Sequence, residues 1–593
     1  MSSSTNLPLS QTPQTLFASI DIGTNSFKLL IIRAYPTGKF HTITRLKQPV
    51  VLGRDFFSSA SPPRISTHSQ SRSLDSLLYF KTVIDSHRID RDHTRAVATQ
   101  AVREAENQRE FIECVKEKAG FEVDVLSGED EARFAYMGVL QFLPVFEKLV
   151  LCVDIGGGST EFVIGKEGKI VFCESLKLGH VSLSEKFVTS GGEFDILKMR
   201  ECVRTVVEES GLVEKVKRRG FEVAVGSSGT IRAIEKAVFK GYCQYFGDNV
   251  GVLGDCKRDW RLSREDLKGV VERLLCRGAE GESVRRDRFF KSRSEFIVAG
   301  AVLLEAIFGL LGIEEMEVSG YGLGEGVIAE RLGKVFDGYD LNANARWRSV
   351  VRLAMRFNGK KRIKSAAQCA SIAKDIFEGL RKCDGFDSDQ AKFIASLDEK
   401  DLEYLEAACL LHNIGLFISK KGYHKQSYRI IMNGDQLYGY SAEEIKLIAL
   451  LAKYHRKKLP KFGHASLKDF SEEKFRILCA IMRLSVKLQQ NEWLNVQEID
   501  FLHSNEGFKL VCFVIQCHVI FIFSKGTVIG EEKDRPFLPG TPQPTAEDIG
   551  TELRLELEYF KSVFKQELLI VLVPSGSSTD LKDNIACERD ANH

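Results

Sequence analysis

Two stretches of this chain are written to one plan, and the repetition limits the fold more than any other feature. From Phe17 the sequence reads FASIDIGTNSFKLLIIR, and from Leu151 it reads LCVDIGGGSTEFVIG. Each is an apolar run ending in an aspartate, Asp21 or Asp154, then a glycine-containing turn with hydroxyl side chains, then apolar residues from Phe27 or Phe162. That is strand, turn, strand. Glycine reaches positive φ and has no Cβ, so such turns can bring backbone N–H groups against a bulky anion, and a carboxylate at the strand end can hold a metal ion or its water shell. A glycine triplet alone is more simply a hairpin turn. Here a third loop adds weight: VAVGSSGTIRAI, residues 223–234, sets Gly226, Ser227, Ser228, Gly229 and Thr230 between a strand and a helix start, where N–H groups again face an anion.

Helices alternate with strands around these loops. Residues 17–147 read as βββαβαβα, with the alternation FHTITRLKQPVVLG, a helical run over 74–87, the strand TRAVAT and a helix from Ala101. A second α/β unit spans 148–335 and includes the helix EFIVAGAVLLEAIFGLL and the strand MEVSGYG before LGEGVIAERL. The expected architecture is α/β, two units of alternating helices and strands that each carry one Asp-Gly hairpin. Past Phe336 the period changes to that of helices (RWRSVVRLAMRF, DLEYLEAACLLHNIG, SAEEIKLIALLAKYHRKK), predicting a helical domain over 340–505. Strands return from Gly507, predicting a small α/β domain over 506–573, and the polar ends 1–16 and 574–593 read as disordered.

A length of 593 residues suits three or four domains, and the net charge of +2 gives no general push toward nucleic acid or a membrane. The 14 cysteines are scattered without a CxxC pair, as expected of reduced thiols in a cytosol-like compartment. The first sixteen residues lack both an apolar signal core and arginine, so a cytoplasmic protein is expected. The longest apolar runs carry Glu305, or Gln516 and His518, and none reads as transmembrane. The second of these runs, LVCFVIQCHVIFIF, reads as paired strands.

DIGTNSF and DIGGGST, with TQAVREAEN and LSGEDEARFAYMGV between them, together resemble the exopolyphosphatase and guanosine pentaphosphate phosphohydrolase (Ppx/GppA) family of the actin, Hsp70 and sugar kinase superfamily. The resemblance runs from about Phe17 to about Leu332 and more weakly to about Leu572. It implies two actin-like (ribonuclease H-like) lobes around an active cleft, each contributing one Asp-Gly hairpin, then an all-α HD-like domain and a small α/β C-terminal domain. It also implies a hydrolase that uses Mg²⁺ to release terminal orthophosphate from inorganic polyphosphate, or the 5′-terminal phosphate of guanosine pentaphosphate. Homodimers are common in the family.

Cleaving a phosphoanhydride needs a water aimed at the terminal phosphorus, a proton acceptor, and donors for the oxygens. Glu129, Asp130 and Glu131 precede a helix and on pattern alone are a favourable N-terminal cap. The resemblance makes the acid directly before Ala-Arg, Glu131, the general base. It assigns Asp154 to Mg²⁺ and Glu161 to orienting water or metal, with Asp21 a further candidate for the ion. Glu161 lies seven positions after Asp154, so the turn must bring both to one cavity. Arg103, just after a strand, suits bidentate phosphate binding, although an ordinary solvated arginine would look the same. Asn25, Ser26, Gly157, Gly158, Ser159, Ser228, Gly229 and Thr230 are the expected neutral donors. One position departs from the pattern: Gly324 stands before Glu-Gly where bacterial members usually carry Arg, and Arg293 is a candidate to compensate.

In the helical half, ACLLHNIGLFI and GYHKQSYRII resemble the HD phosphohydrolase pattern with Asn413 in the Asp position, so a working metal centre is not expected, and His412, His424 and His455 read as packing residues. Basic clusters at 358–364 and 454–461 read either as solvated faces or as a track for a polyanion. Polyphosphate hydrolysis is the leading expectation. Guanosine pentaphosphate hydrolysis is the alternative on the same residues. A sugar kinase would take its base from elsewhere, and a non-enzymatic polyphosphate or nucleotide sensor would have no need of Glu131, Asp154 and Glu161.

Overall fold

The first glycine turn joins β1 (Thr15–Ile22) to β2 (Phe27–Ala34) as an antiparallel hairpin, and β3 (Phe40–Gln48) pairs with β2. After the helix Thr67–Ser86, capped by the Ser66 side chain, β4 (Thr94–Ala98) and β5 (Val123–Val125) add in parallel. The sheet order is β3-β2-β1-β4-β5. Its central strands are buried in near-continuous runs, as in a sheet covered on both faces. One face packs Ile20, Ile22, Leu29 and Ile31 against Leu77, Phe80, Phe111 and Val115.

This computed structural model describes residues 15–54, 63–188, 194–239, 260–276, 290, 294–383, 388–434, 437–456, 459–490, 496–504, 507–514, 519–524, 527–533 and 546–574. The polar stretches 1–14 and 575–593, and Arg293, lie outside them. The chain divides into two compact units, Met1–Ala345 and Arg346–His593.

Within the first unit the plan repeats. The second sheet contains β6 (Val150–Ile155), β7 (Thr160–Lys166), β8 (Lys169–Leu176), β9 (Val223–Ser227), β10 (Arg261–Ser263) and β11 (Glu315–Val318), in the order β10-β11-β9-β6-β7-β8. Read from the other edge, β8-β7-β6-β9-β11 reproduces β3-β2-β1-β4-β5 in order and in parallel or antiparallel sense. These are the two actin-like lobes expected from the sequence.

The lobes exchange helices. Gly128–Leu140 belongs to the first lobe in sequence, yet Ala132, Tyr136, Val139 and Leu140 pack on Val150, Cys152, Val163 and Val225 of the second sheet. Conversely, Ile328 and Leu332 of Leu323–Val335 pack on Phe17, Leu30, Ile32 and Phe40 of the first. The two helices cross closely, because a Cβ at Gly138 would lie 2.0 Å from the Gly322 carbonyl oxygen and one at Gly326 would lie 1.8 Å from that of Phe134. The boundary expected at 147/148 therefore follows the chain but not the packing. Helix exchange also carries Glu131 onto the second sheet.

In the second unit, helices that include Lys360–Lys382, Glu399–Leu411, Ala442–Tyr454 and Glu472–Gln490 enclose a core around Phe377, Leu405, Ile448 and Leu478. A five-stranded sheet follows: β12 (Val496–Ser504), β13 (Gly507–Val514), β14 (Val519–Ser524), β15 (Thr527–Lys533) and β16 (Leu568–Pro574), in the order β12-β13-β16-β14-β15. Two expectations are corrected here. The sheet begins at Val496 inside the stretch assigned to helices, and β13 and β14 flank β16 instead of pairing with each other. Helices and sheet also share one core, in which Phe508, Leu510, Phe560 and Ile570 join the helical residues. Gly379 lets them approach, since a Cβ there would meet that of Phe501 at 2.4 Å. Among the described residues no helix is long and apolar enough to cross a membrane.

Candidate active site

The two hairpins place their chemistry by register. Across β6 and β7, Asp154 is the direct partner of Glu161, and across β1 and β2, Asp21 is the direct partner of Lys28. Directly opposed residues of an antiparallel pair project from the same face, so the seven-residue spacing does bring Asp154 and Glu161 together. Lys28 Nζ donates to Asp21 Oδ2 at 2.7 Å.

Glu131 lies in the first turn of Gly128–Leu140, whose Ser127 cap accepts from the Asp130 N–H. Helix exchange sets it against the second hairpin. All four carboxylates, Asp21, Glu131, Asp154 and Glu161, line one cavity of about 220 Å³. Burial, opposed by Arg103 and aided by Asp21 and Asp154, pushes the Glu131 carboxyl up to about 7. Burial, then the charges of Glu131 and Asp154, hold Glu161 well above the usual carboxylate range. Ser175 Oγ donates to Glu161 at 2.9 Å. Burial also raises Asp154, against the pull of Lys28, a Ser227 hydrogen bond and Arg232. Buried carboxylates held this close favour a cation or shared protons.

The glycine loops form the rest of the wall. Asn25, Ser26, Gly157, Ser159, Ser228 and Gly229 line the cavity as expected. Gly158 and Thr230 do not: the triple-glycine turn closes through Gly156 N–H to Ser159 O at 2.8 Å, and buried Thr230 sits with its Oγ1 3.5 Å from His180 Nδ1. Arg103 is likewise off the cavity wall. One guanidinium nitrogen, Nη1, donates to Glu131 Oε2 at 3.0 Å and to the Leu126 carbonyl at 2.7 Å, so it braces the carboxylate it was expected to work beside. Ser228 is held at a φ of 108°, a conformation costly for a residue with a side chain, with its carbonyl accepting from Arg232 Nε at 2.9 Å.

The loops of the two lobes touch. A Cβ on Gly157 would meet Thr24 Cβ at 2.9 Å and the Asn25 nitrogen at 3.2 Å. Gly157→Ala is therefore expected to push the lobes' loops apart and raise KM for a phosphate substrate by about tenfold, more than it lowers the melting temperature; a variant with wild-type KM would show that the contact is slack.

Sequence reading missed the five basic lining residues, Lys28, Arg45, Lys47, His180 and Arg232. Lys28 had a usable signal, since it lies at the same offset from Asp21 as Glu161 from Asp154. His180 had none. Its Nε2 lies 2.9 Å from Asn25 Nδ2 across the lobes, and its position is set by the Gly157 carbonyl, which accepts from Val181 N–H at 2.8 Å. At the departure from the family pattern, Gly324 approaches Ser19, whose Oγ donates to the Gly324 carbonyl at 3.1 Å. Arg45 arrives from β3 and pairs with the adjacent Glu325, so a guanidinium borders the cavity there too.

The altered HD motif gathers as a neutral network. His412 Nδ1 and His455 Nδ1 each donate to a backbone carbonyl at 2.7 Å, Tyr423 OH donates to His455 Nε2 at 3.0 Å, and Asn358 Nδ2 donates to Asn413 Oδ1 at 2.8 Å. Burial pushes His412 down to about 4 and His455 well below its ordinary range.

Duplicated hairpins around a carboxylate-lined, glycine-walled cleft define a protein of actin-like fold. More particularly, the chain belongs to the Ppx/GppA phosphatase family, whose model matches residues 31–335, with the model for Ppx/GppA phosphatase domain III matching 345–512. It is similar to a guanosine-5′-triphosphate,3′-diphosphate pyrophosphatase of Pseudoalteromonas translucida, at 29% identity over 454 residues, 76% of this chain and 82% of that one. Among solved structures it is similar to an exopolyphosphatase from Cytophaga hutchinsonii (26% identity, 55% of this chain, 99% of that chain, TM-score 0.46). Another is the Ppx/GppA family member of Aquifex aeolicus (29% identity, 54% of this chain, 99% of that chain, TM-score 0.43).

Proposed function

We propose that this protein is a cytoplasmic exopolyphosphatase that removes terminal orthophosphate from inorganic polyphosphate, working with Mg²⁺. The observation that carries the reading is the buried Glu131, raised to about 7, facing the register-paired Asp154 and Glu161 inside a wall of glycine and hydroxyl loops. A base poised near neutrality is what proton abstraction from water requires. Water adds to the terminal phosphorus as the bridging P–O bond breaks, and its proton passes to Glu131. Glu161, fixed by Ser175, orients that water, while loop N–H groups and the Lys28 and Arg232 cations receive charge from the phosphate oxygens.

The donor set fits Mg²⁺, a hard ion that takes one or two carboxylates and otherwise keeps water and substrate phosphates. Asp154 is the chief candidate to hold it, with Asp21 second because Lys28 occupies one of its oxygens. Among the described residues no three His, Cys, Asp or Glu side chains form a metal cage. When bound, the ion would neutralise phosphate charge. Hydrolysis of guanosine pentaphosphate is the second reading, favoured by the name of the Pseudoalteromonas relative. A homodimer remains the expectation from the family.

The test is phosphate release by purified protein with Mg²⁺ from long polyphosphate, guanosine pentaphosphate and ATP in parallel. The highest kcat/KM is expected on polyphosphate; release from guanosine pentaphosphate alone would replace the first reading by the second. Activity is also expected to rise with pH through about 7, since Glu131 must be ionised to accept the proton. A rate flat from about pH 6 to about pH 8 would remove Glu131 from the role.

A further inference from the structure

We propose that His180 is a positioning residue for the substrate: its ring fixes the Asn25 amide so that an N–H, and not the amide oxygen, is turned to the phosphate in the cleft. The inference rests on the phosphoanhydride reading above and adds to that site a residue that acts through another. An asparagine amide carries donors and an acceptor on one rotatable end, and only a donor suits a phosphate oxygen. Nothing in Asn25 alone decides which is presented. Its backbone is held inside the first lobe, where the carbonyl accepts from Val51 N–H at 2.9 Å. Its side chain crosses to the second lobe, where Nδ2 lies 2.9 Å from His180 Nε2. An amide nitrogen only donates, so Nε2 is the acceptor, and the neutral ring carries its proton on Nδ1, facing Thr230 Oγ1 at 3.5 Å. One amide N–H is thereby used on the ring, and the other is left for the cavity that Asn25 lines.

The ring has little freedom of its own. His180 is 4% exposed, and a buried imidazole is costly unless its nitrogens find partners. A Cβ on Gly300 would meet Thr230 Cγ2 at 2.5 Å and His180 Cβ at 3.4 Å, so the helix Ile297–Leu311 packs close behind both. The Phe296 ring lies 6.0 Å from the imidazole. The backbone of the same residue serves the other loop: His180 N–H donates to the Gly156 carbonyl at 3.1 Å, at the start of the helix His180–Phe187. One residue thus ties the glycine turn of the second hairpin by its main chain and the asparagine turn of the first by its side chain.

A double-mutant cycle on phosphate release tests this, with polyphosphate or guanosine pentaphosphate, whichever the wild type cleaves. His180→Phe keeps a ring and loses the acceptor. It is expected to raise KM about fivefold and to leave kcat within about twofold, since a phosphate contact made both before and during the reaction is lost. Added to Asn25→Ala, the same His180→Phe change should have no further effect. His180→Gln, whose amide oxygen can stand in for Nε2, should restore KM. If His180→Phe does not fold, His180→Ala takes its place in the cycle. Losses that multiply in the double variant, an unchanged KM in His180→Phe, or a glutamine no better than phenylalanine overturns the inference. A wild type inert on both substrates sinks the underlying reading, and this inference with it, before any variant is compared.

Discussion

Glu131→Gln is expected to lower kcat by about 10²- to 10⁴-fold while the phosphate chain still binds, because the amide keeps the shape of the side chain and loses the proton acceptor. Single-turnover phosphate release beside equilibrium binding separates the two effects, and near-normal turnover would end the assignment. The same variant carries a second signature. The folded state raises the Glu131 carboxyl from 4.5 to about 7, so the stability it contributes is complete below about pH 4.5 and is lost as pH rises through about 7. Glutamine does not titrate. Without Mg²⁺ the variant should therefore gain thermal stability relative to wild type across that interval, and a melting-temperature difference independent of pH would contradict the buried, cation-seeking state of this carboxylate.

The second large effect lies in the other unit. Arg346 donates from Nε and Nη2 to Glu403 at 3.0 and 2.8 Å, and Tyr440 OH donates to the same carboxylate at 2.5 Å. Both charged side chains are nearly buried, at 9% and 6% exposure. Glu403→Ala leaves the guanidinium without its counter-ion and should cost about 3–5 kcal/mol, seen as a lower denaturation midpoint for the second unit of the full chain. Replacing both partners, Arg346→Met with Glu403→Leu, should recover most of the loss. A single variant within about 1 kcal/mol of wild type would mean that water reaches the pair.

What the sequence made legible was local. The Asp-Gly turns, their flanking strands and the pairing of Asp154 with Glu161 follow from glycine conformation and a period of two, which a short window contains. The departure from the HD pattern at Asn413 was legible for the same reason, since a single side chain carries it. The illegible parts depend on distant partners. No window around Glu131 reveals that its helix packs on the other lobe's sheet. Arg103 could be read only by residue type, because the partners it has in the fold, Glu131 and the Leu126 carbonyl, lie far from it in sequence. Lys47 resembled any solvated strand lysine until register set it opposite Lys28. β12 went unnoticed because its partner strand, β13, completes a core that the helices had begun.

The paired hairpins differ in one charge: the aspartate of one faces an ammonium, and the aspartate of the other faces a carboxylate. A cleft built this way has a head and a tail. Inorganic polyphosphate has identical termini, so every molecule offers the head two starting points whatever its length, whereas a nucleoside polyphosphate offers one. On the reading proposed above, the initial rate at fixed polymer mass should follow the number of termini, climbing as the same mass is cut into shorter chains. It should turn down once the fragments no longer reach from the carboxylates to the mouth of the cleft. The length at that maximum is a molecular ruler for the cleft, obtainable from a phosphate assay alone.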